Sequence, residues 1–400
     1  MKILVGCPQP ESALQELQAL AADVVYEPEL TAAQLEGLIR DVAVLVVRRT
    51  RVSPEIIAAG RSLQLIVRAG TDVGNIAIDA ASAAGIFVCN CPHKDALAIA
   101  ELTIGLLVAL DRRLLARVSA VREGRLDEPP PAEALGLAGR TLGLMGLGPV
   151  ERETARRARA FGLNVLVWSP TLTPERAAAA NVRFCAWPRE LARQSDMVAV
   201  FARRQQVVEL LVDREFLENM RHGAYLVYIG HPAALDEVAL AEIAAQRNLR
   251  VAYDIYDPQS TGAGLSRVQS RLQLLPDVIG THHLADRTSQ AYQATAQEVV
   301  RVIRQFLVCG EVVNCVNLLE HGPATWQMVL RLRDTIGVLA SVLDRIREDG
   351  INVEEISSRV FTGAQAGCCI IALNERPSAD ALRAIRQTDG VLHCELRALV

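Results

Sequence analysis

Two stretches of this chain combine residue types and spacings that could do chemistry. The first is TLGLMGLGPVERE, Thr141 to Glu153. Leu142 to Met145 reads as a strand, Gly146-Leu147-Gly148 as a tight turn, Ala155 to Phe161 as a helix and Val165 to Trp168 as a second strand. A dinucleotide-binding unit opens in this way. Its first glycine makes the turn, its second admits a pyrophosphate to the backbone, and its third lets helix and strand pack closely. Here Pro149 follows the second glycine, Val150 comes next, and Glu151 stands at the third glycine position. Proline brings no N–H to a phosphate. A carboxylate suits the positive end of a helix dipole but repels a diphosphate. Ser169 ends the second strand, where an acid would hold ribose hydroxyls.

The second stretch follows the apolar run Val42 to Val47 and carries Arg48, Arg49 and Arg51. At the carboxyl end of a strand in a parallel sheet, these arginines are either a solvated loop or an anion site. The glycine-rich loop Arg68 to Asn75 leaves another strand end. Cys89, Cys91 and His93 lie close together, but no second ligand cluster matches them, so they read as a strand entering a loop and not as a metal site.

These groups need a scaffold. Ile3 to Val5, Val24-Val25, Val42 to Val47, Leu65 to Val67 and Ile86 to Val88 are strand candidates, with helical segments between them. One long apolar helix is expected over 95–121, and the prolines at 129–131 mark a break. A nucleotide-type unit then runs to about 282, with later strands at Met197 to Phe201, Leu226 to Ile229, Val251 to Tyr253 and Val278-Ile279. A helix from Ala291 to Cys309 leads back to the first unit. After Gly322 the order is βαββαβ, a ferredoxin-like pattern, with Ser378 capping its last helix and Cys368-Cys369 in its core. The fold class is α/β: a flavodoxin-like and a Rossmann doubly wound parallel sheet, plus a ferredoxin-like C-terminal domain.

The totals narrow the function. A net charge of -4 and a pI near 6.0 argue against nucleic acid or anionic membrane as partners. No apolar run is long enough to span a bilayer, and the opening MKILVGCPQP reads as a strand and not a signal peptide. Nine cysteines, an odd number in a large chain, suit a reducing cytoplasm.

Seven stretches together are specific: RAGTDVGN at 68–75, AELTIGLLVAL at 100–110, TLGLMGLG at 141–148, HPAALDE at 231–237, THHLADRT at 281–288, VNCVN at 313–317 and IGVL…DGINV at 336–353. They resemble the D-2-hydroxyacid dehydrogenase family, in its phosphoglycerate-oxidising branch with a C-terminal ACT domain. The resemblance implies a substrate domain over 1–94 and 283–315, a nucleotide domain over 95–282 and an ACT domain over 325–400. It implies a homo-oligomer, a small 2-hydroxyacid or phosphorylated acid as substrate, and NAD as cofactor. NADP is the alternative, because Ser169 lacks the excluding acid and Arg176 is near. The nucleotide would lie on Gly146, Gly148, Pro149, Val150, Ser169 and Asp254. The acid would lie on Arg48, Arg49, Gly70, Thr71 and Asp72, the last replacing a glycine and opposing an anion. An amino acid would bind the ACT domain near Gly337 and Asn352, although Ile336 replaces a usual proline there; otherwise Asn352 merely shapes a turn.

In that family a histidine exchanges a proton with substrate, a glutamate raises its pKa, and an arginine holds the carboxylate. The resemblance carries these roles onto His283, Gln259 and His231. Glutamine cannot stabilise an imidazolium as a carboxylate does, and histidine is no permanent bidentate cation. General acid–base assistance is typically worth about 10²–10⁴ in rate, so the usual mechanism is expected to be impaired. Two readings follow: an active oxidoreductase, or a non-catalytic relative acting through its oligomer and ACT domain. A third reading, a metal held by His231, Asp254, Asp257 and His283, matches no standard ligand spacing.

Overall fold

The structure, a computed structural model, describes residues 1–21, 23–125, 134–202, 211–255, 278–282, 284–319 and 322–399. The chain forms two compact units, Met1–Asn317 and Leu318–Val400.

The first unit holds two parallel sheets. Five strands make the first: β1 (Lys2–Val5), β2 (Asp23–Tyr26), β3 (Val44–Val47), β4 (Leu65–Arg68) and β5 (Phe87–Asn90), in the order β2-β1-β3-β4-β5. β3 is VLVV and every residue is buried, as expected of a strand covered on both faces. One cover is the returning helix Ser289–Arg304, whose Ala296, Val299 and Ile303 pack with Ile3, Val5 and Leu65. The other brings Leu35, Ile39 and Ile56 against Leu4, Leu45 and Ile66. Strand order reverses between β1 and β3, and ligands settle at the carboxyl side of such a switch point. Arg48 is the residue after β3.

At the far edge, residues 314–317 run antiparallel along β5. Val316 N–H donates to Val88 O at 2.8 Å and Asn90 N–H to Asn314 O at 3.1 Å. The Asn317 side chain accepts from Val88 N–H at 2.8 Å and donates to Ile86 O at 2.9 Å.

The second sheet has seven parallel strands: β6 (Thr141–Met145), β7 (Asn164–Trp168), β8 (Arg183–Phe184), β9 (Met197–Ala202), β10 (Tyr225–Gly230), β11 (Arg250–Ile255) and β12 (Val278–His282). Their order, β12-β11-β10-β9-β6-β7-β8, reverses between β6 and β9, the Rossmann arrangement.

The single helix expected over 95–121 is two helices, Ala96–Arg112 and Leu114–Arg122, broken at Arg113 with φ 48 and ψ 44. Asp111 explains the break. It is 2% exposed and accepts hydrogen bonds from the Tyr225 hydroxyl at 3.0 Å and from Gly136 N–H at 3.2 Å. This anchors the first helix against the sheet. The second helix buries only Ala120 and has no apolar stripe that would continue the first. The returning helix reaches Cys309 as expected, α-helical to Arg304 and closing in a π turn over Gln305–Cys309.

The second unit is an antiparallel sheet, β13 (Trp326–Arg333), β14 (Val353–Val360), β15 (Ala366–Leu373) and β16 (Val391–Ala398), ordered β14-β15-β13-β16. Val342, Ile346 and Ile385 of the helices Val338–Glu348 and Ala379–Gln387 pack against Met328, Leu330 and Ile371. The Ser378 hydroxyl accepts from Ala381 N–H at 3.1 Å, the expected cap. Cys369 is buried but Cys368 is half-exposed, because neighbours in a strand face opposite sides; the pair does not share the core. No helix among the described residues is long and apolar enough to cross a membrane.

Candidate functional site

The carboxyl ends of the first sheet open on a cleft. Arg48 and Arg49 reach it from β3, Arg68, Gly70 and Thr71 from β4, Lys94 and Asp95 from the loop after β5, and Asp286 from the loop after β12. The arginine loop thus contributes two side chains to the cleft lining. Asn75 ties it to the glycine loop, its side-chain amide donating to Thr50 O at 2.7 Å. Arg68 lies folded over Gly70, so that a Cβ on that glycine would collide with Arg68 Nη1. Arg68 Nε is buried and has no hydrogen-bond partner. Arg48 pairs with Asp286 across 3.6 Å.

Lys94 is held from behind. Its Nζ is 3.0 Å from Glu298, which is 5% exposed and also accepts from Arg301 and from Asn314 at 2.6 Å. Arg301 above all, then Lys94 and Asn314, hold the Glu298 carboxyl down to about 2 against the burial that would raise it.

The glycine loop departs from expectation. Gly70 N–H donates to Arg68 O at 2.8 Å, so it is already engaged. Thr71 Oγ1 donates weakly to Cys91 O at 3.5 Å. Asp72, expected to oppose an anion, turns into its own loop, where Oδ1 accepts from Gly74 N–H at 2.9 Å. The carboxylates lining the cleft are Asp95 and Asp286.

At the nucleotide turn, Gly148 caps the helix Pro149–Ala160 and Pro149 is its first residue; Val150 is buried. Gly146 has φ 108, a conformation that favours glycine. The space both glycines leave is taken by Glu151. A Cβ on Gly146 would lie 2.6 Å from Glu151 Oε1, and one on Gly148 2.9 Å from Oε2. The carboxylate therefore rests in the cradle where a diphosphate would sit, and the residues as placed do not fit that group. Ser169 directly follows β7 and is half-buried; its carbonyl accepts from Leu172 N–H at 3.1 Å.

His231 follows β10, and its ring is engaged in its own turn. Nδ1 accepts from Ala233 N–H at 3.2 Å, and the carbonyl accepts the Tyr228 hydroxyl at 2.5 Å. Gly230 before it admits no side chain, since a Cβ would collide with the Ala202 carbonyl oxygen. Asp254 is 4% exposed and accepts from Thr281 Oγ1 at 2.8 Å, Leu284 N–H at 3.1 Å and Ala285 N–H at 2.8 Å. It fixes the loop that carries Asp286. His283, Gln259 and Asp257 lie outside the described residues.

Cys89 and Cys91 are buried. A hydrogen bond with Cys315 and burial push Cys89 up strongly, and burial pushes Cys91 up to about 12. His93 is exposed. In the second unit, Gly337 has φ 91 at the start of its helix and Ile336 is fully exposed. Asn352 braces its turn: its N–H donates to Asn374 Oδ1 at 2.9 Å and its amide to Glu354 at 2.7 Å.

Sequence reasoning did not single out Lys94, Asp286 or Glu298. Lys94 and Glu298 meet across two hundred residues of chain. Asp286 stood in plain sight within THHLADRT, but only the fold sets it opposite Arg48.

Comparison with known proteins places this geometry. Over 350 residues the chain is 29% identical to a D-3-phosphoglycerate dehydrogenase of Methanocaldococcus jannaschii, an alignment covering 86% of this chain and 65% of that one, just under two thirds of the relative's length. It is 28% identical to a hydroxypyruvate reductase of Thermotoga maritima, covering 76% of this chain and 97% of that one. The crystal structure of the TT0316 protein of Thermus thermophilus superposes with a TM-score of 0.68 at 27% identity, covering 79% of this chain and all of that one. Residues 104–285 match the family model described as D-isomer specific 2-hydroxyacid dehydrogenase, NAD binding domain. The match spans the Rossmann sheet and the second half of the helix that precedes it.

Proposed function

We propose that the chain is a D-3-phosphoglycerate dehydrogenase-like protein that binds a small 2-hydroxyacid anion in the arginine cleft. The observation that carries this is the buried, unpartnered Nε of Arg68, at the carboxyl side of a doubly wound sheet. A guanidinium in that position recognises a carboxylate. In this proposal residues 1–94 and 283–315 form the acid-binding domain, 95–282 the nucleotide domain, and 325–400 an ACT-like regulatory domain of a homo-oligomer. The family's chemistry is NAD-linked exchange of hydride at the carbon bearing the hydroxyl. This chain's own part is to hold and orient the acid: Arg68 takes the carboxylate, Glu298 holds Lys94 in place at the cleft wall, and Asp254 fixes the loop that follows His283.

A second reading, a relative that binds the acid without turning it over, is favoured by Glu151 in the glycine cradle and by the residues at 231 and 259. One experiment separates the two. The purified chain is titrated calorimetrically with D-glycerate and with NADH, and NADH formation from NAD and the acid is followed by absorbance. Acid binding with turnover supports the dehydrogenase. Acid binding with neither NADH binding nor turnover supports the non-catalytic relative. No acid binding up to about 10 mM, a Kd worth under ~3 kcal/mol, refutes both.

A further inference from the structure

Two of the three arginines lining the cleft are in different electrostatic states. Arg68 is the inner one. Its Nε is buried without a partner, and its guanidinium is folded over Gly70. Arg48 is the outer one, already facing Asp286 across 3.6 Å. Of the remaining charges, Lys94 is committed to Glu298, Arg49 is on the exposed rim, and Asp95 adds a second carboxylate to the lining.

Asp286 does not sit opposite Arg48 through a loose loop. The two residues before it, Leu284 and Ala285, both donate their N–H groups to the buried carboxylate of Asp254. Thr288, two residues after it, caps the returning helix through its hydroxyl. The carboxylate is therefore held by backbone fixed on both sides. An exposed ion pair of this length contributes little stability. Its effect on an arriving anion is larger, because a fixed like charge beside the landing point opposes every charge the ligand brings.

We propose that Asp286 is a specificity residue of the cleft, which by neutralising Arg48 makes the site select unphosphorylated 2-hydroxy- or 2-oxoacids over acids carrying a terminal phosphate. The single carboxylate of such a substrate meets Arg68, where no side-chain partner competes. A phosphate on the same molecule has to share Arg48 with a carboxylate whose backbone is pinned beside it. The inference rests on the acid-binding reading of the cleft.

The test uses the full chain and two probes, D-glycerate and D-3-phosphoglycerate, titrated by calorimetry against wild type, Asp286→Asn, Asp286→Glu and Arg48→Ala. Wild type is expected to bind D-glycerate at least as tightly as the phosphorylated acid. Asp286→Asn is expected to tighten D-3-phosphoglycerate tenfold or more while moving D-glycerate less than twofold. Asp286→Glu keeps the wild-type preference, and Arg48→Ala weakens D-3-phosphoglycerate more than D-glycerate. Thermal melts within a few degrees of wild type show that each variant is folded. The proposal is overturned if wild type prefers the phosphorylated acid tenfold, or if Asp286→Asn shifts both acids alike. If neither acid binds any of the four proteins, the acid-binding reading itself fails, and that outcome is distinct from a failed preference.

Discussion

Replacing Glu151 by glutamine removes one charge and almost no volume from the glycine cradle. Its two carboxylate oxygens stand where side chains on Gly146 and Gly148 would begin, so a diphosphate entering that space comes within roughly 4 Å of a negative charge. At that separation two unit charges repel by about 1 kcal/mol in water and by about 4 kcal/mol at an effective dielectric near 20. Glu151 is half-buried, so about 2 kcal/mol is the working value, close to a 30-fold change in affinity. Glu151→Gln should therefore tighten NADH binding by about that factor in dilute buffer, read by energy transfer from protein fluorescence to the nicotinamide. The gain should shrink several-fold at about 1 M salt, where the screening length falls to about 3 Å. The helix loses a favourable N-terminal charge worth roughly 0.3–1 kcal/mol, so the melting temperature should drop by only a few degrees. The reasoning is refuted if wild type already binds NADH in the micromolar range and the substitution leaves it within twofold, or if the gain is indifferent to salt.

Three further outcomes follow from the same contacts. Glu298 has a folded pKa held near 2, below the ordinary carboxylate value, so its contribution is full above about pH 4.5 and is lost as pH falls toward 2. Denaturant titrations should show wild type roughly 3 kcal/mol more stable than Glu298→Gln at pH 7, with the gap narrowing steadily from pH 4.5 toward 2; a gap constant with pH would disprove this. Asp254→Ala strands two backbone N–H donors and should cost about 2–4 kcal/mol. Amide exchange should then speed up at Leu284 and Ala285 before it does elsewhere; uniform acceleration would mean that Asp254 supports the whole sheet and not that loop. His231→Arg with Gln259→Glu should by itself give no measurable NAD-linked oxidation, and should give turnover only when Glu151→Gln is added; activity in the double variant alone would show that the cradle is no barrier.

The sheets were readable in advance because both signals are strong. Parallel strands buried on both faces appear as apolar runs such as Val44 to Val47, and the antiparallel unit alternates, so the βαββαβ order could be read directly. The break at Arg113 was not legible. Arginine is a good helix former, and what interrupts the helix is Asp111 bonded to Tyr225, a residue 114 positions away in the chain. At the site, local features could be read and distant pairings could not. Glu151 could be seen as a misplaced charge, because helix and turn are adjacent in sequence. Arg48 could be nominated but not interpreted, since its meaning depends on Asp286. The orientation of Asp72 was not read for a related reason: an aspartate before Val73-Gly74 closes an Asx turn on its own loop, and this local bond decides where the carboxylate points.

The antiparallel segment beside β5 decides where this protein can be cut. Fragments ending before Asn314 would strip that border strand of its neighbour, baring Val88 and Asn90 N–H groups and the apolar run around them, a template for sheet-to-sheet aggregation. Fragments carried through Asn317 keep those amides bonded. Anyone isolating the first unit to study the cleft should therefore retain VNCVN, a five-residue tail that closes the sheet's outer rim.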